Sequence, residues 1–206
     1  ETVVSAGVET DSRLIKPGYL FVAKPGEVTD GHLFVGSAKE NGASVALVER
    51  KVDVDIDQIE VKDVVVALGK LAAAVIQRIR MRTQLVVIGV TGSNGKTSTK
   101  NMLRAVISAF GNTVAPRESF NNEVGAPISM LQCTYETKYL VVEMGADGLG
   151  SIAYLAKMCR PDIGVELKVG MAHAGEWGGI EVTAKIKAEL VDHLQSTGLL
   201  IYNADD

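Results

Sequence analysis

Short apolar runs alternate with amphipathic stretches along the second half of the chain. Apolar runs over residues 85–88, 139–142, 163–167 and 199–202 predict strands, and the first two are predicted to be buried. Helical spacing predicts helices that begin near Lys96 and that cover residues 151–159 and 180–195. Strands that alternate with helices imply an α/β fold with a parallel sheet and right-handed crossovers.

The first part of the chain shows a similar pattern on a smaller scale. A turn at Pro17-Gly18 precedes a short apolar strand, and a helix is predicted over 32–41, with a strand over 45–48 after it. A longer helix is predicted over 64–79, with Leu68, Leu71, Ala72, Val75 and Ile79 on one face. We therefore predict a small α/β domain over residues 1–82 and a second domain over 83–206. The arginine-rich segment 78–83 is the predicted hinge, and its arginines are interpreted as a solvated helix end.

A glycine-rich turn, GVTGSNGKTSTK over residues 89–100, follows the first strand of the second domain and opens its first helix. Gly92 and Gly95 allow the backbone to approach a polyphosphate closely, and the helix N-terminus favours anions. Lys96 adds a positive charge, and the Thr97 hydroxyl can reach a phosphate-bound Mg²⁺. The strict phosphate-loop pattern has glycine where this chain has Val90, so a glycine turn without function is the alternative. The residues predicted to bind the nucleotide are Gly92, Ser93, Asn94, Gly95, Lys96, Thr97 and Ser98.

Composition limits the classes of function. The chain has 206 residues, 47% of them hydrophobic, and a formal net charge of −4, which argues against nucleic acid as a partner. Its two cysteines are isolated in the sequence, so we expect reduced core residues in a cytoplasmic protein. No apolar run is long enough to span a membrane.

Several polar residues follow predicted strands, where ligands bind in open parallel sheets. Glu143 ends an apolar strand and is a Mg²⁺ ligand candidate, with a salt-bridged or helix-capping acid as the alternative. His173 lies in a glycine-flanked loop, and a satisfied polar histidine is its alternative. Lys185 and Lys187 lie in the next helix, where lysines are usually solvated. The pair Asn121-Asn122 is compatible with a simple turn.

Taken together, these stretches resemble the Mur ligase family of peptidoglycan synthesis. The similarity rests on TGSNGKTS, FNNEVGAP, VVEMGADGLGSIAYL, RPDIGVELKVGMAHAGEWGGIE and TAKIKAEL, in that order. TDSRLIKPGYLFVAKPG and TDGHLF in the first domain resemble the family's UDP-sugar-binding domain.

The resemblance implies an ATP-dependent amide ligase with two Mg²⁺ sites. The family member with the most similar motifs adds D-alanyl-D-alanine to UDP-N-acetylmuramoyl-tripeptide (UDP-MurNAc-tripeptide) through an acyl phosphate. No nucleic acid or membrane is implied as a partner, and we expect a monomer.

The family's functional residues can be carried over position by position. Carried over to this chain, the predicted catalytic residues are Lys96, Asn121, Asn122, Glu143, His173 and Lys187. The metal ligands would be Thr97, Glu143, His173 and Lys187, the last as a carbamate. Lys187 is chosen over Lys185 because its spacing from His173 fits the family better. The predicted contacts to the UDP part are Asp11, Ser12, Arg13, Asp30, Gly31 and His32.

Two departures from the family pattern bear on these expectations. Lys168 stands where the family usually has asparagine. The family also continues beyond the point where this chain stops, so we expect an N-terminal fragment of a longer ligase. A ligase that adds the third amino acid of the peptide, and a nucleotide-binding or UDP-sugar-binding module without catalysis, are the alternatives.

Overall fold

The computed structural model describes residues 2–26, 28–116, 118–170 and 178–205. By its internal contacts the chain divides into two compact units, Glu1–Leu71 and Ala72–Asp206, here called the first and second unit. The division falls inside one helix, and the predicted domain boundary near residue 82 stays a prediction. No helix within the described ranges is long and apolar enough to cross a membrane.

The first unit is built on a parallel sheet whose strands pair in sequence order. The strands are β1 (Val8–Glu9), β2 (Tyr19–Val22), β3 (Ala43–Val48) and β4 (Asp57–Glu60). Helix α1 (Val35–Glu40) crosses from β2 to β3, and short 3₁₀ turns cover Ser12–Leu14 and Gly31–Phe34. Apolar residues of β2, α1 and β3 form the core of this unit.

The second unit contains a parallel sheet with strand order β6-β7-β5-β8-β9. Its strands are β5 (Val86–Thr91), β6 (Thr113–Val114), β7 (Tyr139–Glu143), β8 (Ile163–Glu166) and β9 (Leu199–Tyr202). Its helices are the end of α2 (Val64–Arg80), then α3 (Lys96–Ile107), α4 (Gly125–Met130), α5 (Ser151–Cys159) and α6 (Ile180–Ala188). The fold class is therefore α/β with parallel sheets, as predicted.

Alternate residues of the central strands face two separate apolar layers. Val87, Leu140 and Val142 pack with α2, α4, α5 and α6 on one face of the sheet. Ile88 and Val141 belong to the opposite layer, against which α3 packs. Because Glu143 follows Val141 by two residues, strand alternation places it on the α3 face.

The observed elements differ from the predicted ones in a few places. The buried face of α2 contains Leu68, Ala72, Ile76 and Ile79, while Leu71 lies at the edge of this face and is exposed. Helix α6 ends at Ala188 instead of residue 195, and a 3₁₀ turn follows over Val191–His193. The short strands β1 and β4 were not predicted.

The arginines at the end of α2 are only partly solvated. Arg80 donates to both carboxylate oxygens of Asp162 at 3.0 and 2.8 Å, and to the carbonyl of Arg160 at 2.9 Å. Arg82 lies over the ring of Tyr135. These contacts correct the interpretation of a solvated helix end for Arg80, which is bound to Asp162, whereas Arg78 and Arg82 are exposed as that interpretation requires.

Both cysteines lie in the interior of the second unit, as predicted. Burial raises the pKa of Cys133 and Cys159 to about 12, so both thiols stay protonated and unreactive near neutral pH.

Candidate nucleotide-binding site

The turn between β5 and α3 has the geometry of a phosphate-binding loop. Gly92 and Gly95 adopt φ values of 144° and 84°, a region that favours glycine. A Cβ on Gly92 would lie 3.0 Å from Leu167 Cβ and 3.2 Å from the Lys168 amide nitrogen, so the loop packs closely against the end of β8. Helix α3 then begins at Lys96, with its N-terminus at the loop.

Ser93 fastens this loop to the segment after β8. Its amide donates to the Lys168 carbonyl at 2.7 Å, and its hydroxyl accepts from the Gly170 amide at 2.9 Å. Lys168 therefore supports the loop through its backbone, whereas its side chain is exposed.

A cavity of about 290 Å³ opens over the loop. Its lining consists of residues 93–98 together with Ser119, Asn121 and Glu143. The Lys96 ammonium donates to the Gly92 carbonyl at 2.8 Å, so the side chain lies over the loop. Burial lowers the pKa of Lys96 below its ordinary value, while attraction by Glu143 acts in the opposite direction. The predicted nucleotide-binding residues from Ser93 to Ser98 thus line one cavity. Gly92 precedes them in the loop and binds Lys96 through its carbonyl.

Glu143 is the centre of the polar contacts in this cavity. Its Oε1 accepts from the Thr97 hydroxyl at 3.1 Å and from Asn121 Nδ2 at 2.9 Å. Its Oε2 is buried and has no hydrogen-bond partner in the described part of the chain. The register of the sheet explains why Glu143 lies next to the phosphate loop. Glu143 pairs with Val90 of β5, so the end of β7 lies beside the start of the loop.

The residues around Glu143 fit a Mg²⁺ ion. The Thr97 hydroxyl and the Glu143 carboxylate line the same cavity and are hard oxygen donors, which Mg²⁺ prefers. The described residues contain no group of three or more His, Cys, Asp or Glu that could hold a metal.

His173 lies outside the described residues, so its predicted roles as catalytic residue and metal ligand stay predictions. The predicted second metal site depends on it and likewise stays a prediction.

The two lysines of α6 have opposite surroundings. Lys187 is buried, with 3% of its surface exposed, while Lys185 is exposed. Burial, together with repulsion by Lys96, lowers the pKa of Lys187 to about 8, although attraction by Glu166 and Glu189 acts in the opposite direction. The charge of Lys96 in the phosphate loop thus acts on buried Lys187. Its carbamoylation stays a prediction.

The two neighbouring asparagines differ. Asn121 contacts Glu143, as described above. Asn122 accepts through Oδ1 from the Gly125 amide at 2.9 Å and so caps α4. It lines a neighbouring cavity of about 390 Å³ instead of the phosphate cavity, and its catalytic role stays a prediction.

The first unit contains a separate cavity of about 590 Å³. Its lining includes three of the predicted substrate contacts, Asp11, Ser12 and Arg13. The Arg13 guanidinium donates to Asp11 Oδ2 at 2.6 Å, and this bond lowers the pKa of Asp11. Arg13 is exposed at this cavity.

The other three predicted contacts to UDP are Asp30, Gly31 and His32, which form a turn held by bonds within the protein. His32 is buried; its Nδ1 bonds Asp30 at 2.6 Å and its Nε2 accepts from the Glu49 amide at 2.9 Å. Asp30 also binds Arg50, and that bond, with those from His32, holds its pKa well below the usual range. A Cβ on Gly31 would lie 2.5 Å from the Lys24 carbonyl oxygen. The side chains of Asp30 and His32 thus bond to other groups of the protein. The contact of this turn with UDP stays a prediction.

Lys100 of α3 was missed in the sequence. It is fully buried, and its Nζ lies 3.8 Å from Glu143 Oε2. A signal was present: Lys100, Leu103 and Ile107 follow helical spacing on one face, so a lysine stands at a position where an apolar residue is expected.

The fold and this site define a phosphate-loop nucleotide-binding protein of the parallel α/β class. Comparison with known proteins makes the assignment more specific: residues 5–85 match the model described as "Mur ligase family, catalytic domain", and residues 90–206 match "Mur ligase middle domain". The chain belongs to the Mur ligase family.

Relatives and solved structures agree with this assignment. The chain is 43% identical, over 98% of its length and 43% of the relative's, to UDP-N-acetylmuramoyl-tripeptide–D-alanyl-D-alanine ligase of Mycobacterium tuberculosis. MurF from Acinetobacter baumannii superimposes with a TM-score of 0.86 at 39% identity, over 95% of this chain and 42% of that one. MurF from Thermotoga maritima in complex with ADP gives a TM-score of 0.85 at 33% identity, over 98% of this chain and 47% of that one. The chain thus spans less than half the length of these relatives.

Proposed function

We propose that this chain is part of an ATP-dependent ligase that adds D-alanyl-D-alanine to UDP-MurNAc-tripeptide in peptidoglycan synthesis. The relatives that carry this name are similar over nearly the whole chain. We further propose that the protein works in the cytoplasm as a monomer, with ATP and Mg²⁺.

One observation carries the proposal: Lys96, Thr97 and Glu143 meet in a single cavity at the carboxyl ends of β5 and β7. A site that transfers a phosphoryl group to a carboxylate brings two anions together, so it needs concentrated positive charge and fixed geometry. The loop amides and Lys96 provide the charge. Asn121 holds Glu143 in place through a hydrogen bond of 2.9 Å.

Each part of the two cavities has a separate role in the proposed reaction. Residues 93–98 bind the phosphates, and Lys96 balances their charge where it increases during transfer. Thr97 and Glu143 would hold a Mg²⁺ ion, which supplies Lewis-acid stabilisation of the phosphates when bound. Lys187, as a carbamate, would add an anionic oxygen ligand near the loop. The Ser12–Arg13 cavity of the first unit would bind the UDP end of the substrate.

Replacing Lys96 tests the nucleotide site. Lys96→Ala should weaken ADP binding by about tenfold or more in the presence of Mg²⁺, because a charge-assisted hydrogen bond to phosphate is lost. Isothermal titration calorimetry measures this, with circular dichroism to confirm the fold. Lys185→Ala is the matched control, since it removes an exposed lysine and should leave the affinity unchanged. Equal ADP affinity in the parent and a folded Lys96→Ala variant would contradict the site.

An activity assay on the full-length protein separates the proposed reaction from its alternatives. Phosphate release should require UDP-MurNAc-tripeptide and D-alanyl-D-alanine together. Release with UDP-MurNAc-dipeptide and a single amino acid would indicate a ligase that adds the third residue. ADP binding with no release under either condition would indicate a binding module without catalysis.

A further inference from the structure

Lys100 occupies a position that the packing of α3 reserves for an apolar side chain. It shares the sheet-facing side of the helix with Leu103 and Ile107, which pack against the apolar layer formed by Ile88 and Val141. Only 1% of Lys100 is exposed. A buried ammonium group costs free energy unless it is paired. The partners of Lys100 therefore decide whether its burial is tolerated.

The Lys100 ammonium makes two contacts in the described part of the chain. It donates to the Glu118 carbonyl at 2.7 Å, and it lies 3.8 Å from Glu143 Oε2. The second distance is an ion pair but is longer than a hydrogen bond. Glu143 Oε2 is buried and has no hydrogen-bond partner in the described part of the chain, so the nearby Lys100 ammonium balances its charge without a hydrogen bond.

The contact with Glu118 reaches the wall of the phosphate cavity. Glu118 has a φ of 36°, in a region that non-glycine residues adopt rarely. Its carbonyl is nonetheless held by Lys100, and the chain then continues to Ser119 and Asn121, both of which line the cavity. Lys100 therefore contacts both the carboxylate and the segment that positions Asn121 against it.

We propose that Lys100 is a positioning residue that acts as the resident counter-ion of Glu143 whenever no divalent cation is bound. It holds the Glu143 carboxylate against the phosphate cavity, and the cation that arrives with the nucleotide takes over the balance of its charge. The inference rests on the proposed function for the arrival of that cation. A purely structural lysine, which only fastens Glu118, is the competing explanation.

Nucleotide affinity with and without metal distinguishes the two explanations. ADP titrations are run in excess MgCl₂ and in EDTA on the parent and on Lys100→Met, which keeps the length of the side chain and removes its charge. Without metal, the uncompensated Glu143 repels ADP, and the affinity should fall by about fivefold or more. With Mg²⁺ the cation replaces the missing charge, and the fall should be less than about twofold.

Arg104→Met is the matched control. Arg104 is an exposed cation one turn further along the same helix, so its loss should change neither affinity. An equal loss in Lys100→Met under both conditions would overturn the proposal, because a structural role does not depend on metal.

A double-mutant cycle with Glu143→Gln adds a readout that needs no nucleotide. Lys100→Met should lower the midpoint of thermal unfolding by roughly 6 °C or more, because it leaves a buried carboxylate unpaired. In the Glu143→Gln background the same change should cost less than half as much, since no charge remains to balance. An undiminished loss would assign Lys100 to Glu118 alone and overturn the proposal.

These outcomes are separable from a failure of the proposed function. If the parent binds no ADP with Mg²⁺, the nucleotide site fails, while the thermal cycle still tests the pairing. If the parent binds ADP and the cycle shows no coupling, only the role of Lys100 fails.

Discussion

Lys185 and Lys187 show how strongly two positions on one helix can differ. Two residues along an α-helix turn the side chain by about 200°, so one lysine faces solvent when the other faces the interior. Lys187 is buried near Lys96, and its pKa falls to about 8. A neutral amine is the form that reacts with CO₂, so burial prepares this lysine, and not its neighbour, for carbamoylation.

We predict that Lys187 forms the carbamate. With ¹³C-labelled CO₂ and MgCl₂, one protein carbamate signal should appear in the ¹³C NMR spectrum. At constant dissolved CO₂ it should grow as pH rises from 7 to 9, since the neutral fraction increases through a pKa of about 8. Lys187→Ala should abolish the signal, and Lys185→Ala should retain it. A signal that follows Lys185 would reverse the assignment, and no signal in the parent would remove the carbamate from the proposed mechanism.

At the scale of elements, α5 and α6 are linked by a single carboxylate. Glu189, which directly follows α6, accepts from the amides of Gly150 and Ala153 at 2.6 and 2.9 Å. Both amides belong to the start of α5, where unsatisfied N–H groups and the helix dipole favour an anion. Glu189 also acts on the pKa of Lys187, so this cap lies beside the proposed carbamate.

Removing the cap should destabilise the second unit. We expect Glu189→Ala to lower the free energy of unfolding by about 1–2 kcal/mol, the usual effect of losing a helix N-cap. Urea denaturation followed by circular dichroism measures this. Glu136→Ala, at an exposed glutamate in a turn, is the control and should stay within about 0.5 kcal/mol of the parent. A similar change in both variants would mean that the Glu189 bonds contribute nothing to stability.

Elements with strong periodicity were predictable, and those set by tertiary contacts were not. The strand at β9 and the helix α5 lie where the pattern placed them, because β9 is a continuous run of apolar and aromatic residues, although largely exposed, and α5 has clear helical spacing. β1 has only two residues and β4 is largely exposed, so neither carries a distinctive pattern. Leu71 fits the helical spacing loosely, and only the packing shows that it faces outward.

The site was predictable where local sequence determines it, and less so where distant residues meet. The loop from Gly92 to Thr97 follows from its own glycines and from the strand and helix around it. The bond between Asn121 and Glu143 depends on the placement of the segment before α4, which no local pattern reveals. Lys100 was missed because lysines in amphipathic helices are usually solvated, and its partner is distant in sequence.

For the whole molecule, the two units carry separate cavities with different chemistry. The cavity of the first unit is lined mainly by hydroxyl and amide groups, by the ion pair of Arg13 with Asp11 and by the Phe34 ring, whereas that of the second is built around a phosphate loop. Hydroxyl, amide and guanidinium groups can hold a sugar nucleotide by hydrogen bonds and charge without a metal. We therefore expect the UDP end of the substrate to bind to the first unit without requiring ATP.

NMR titration of the whole chain with UDP-N-acetylmuramate, without ATP or metal, tests this division. Amide shifts should concentrate at residues 10–13 and 29–32, because the cavity and the turn beside it lie there. Arg13→Ala should weaken binding by about tenfold or more through loss of a charge-assisted bond to diphosphate. Lys62→Ala, an exposed lysine outside the cavity lining, should leave the affinity unchanged. Shifts that cluster at residues 92–98 instead would show that the sugar nucleotide occupies the phosphate loop, and the first unit would then need another role.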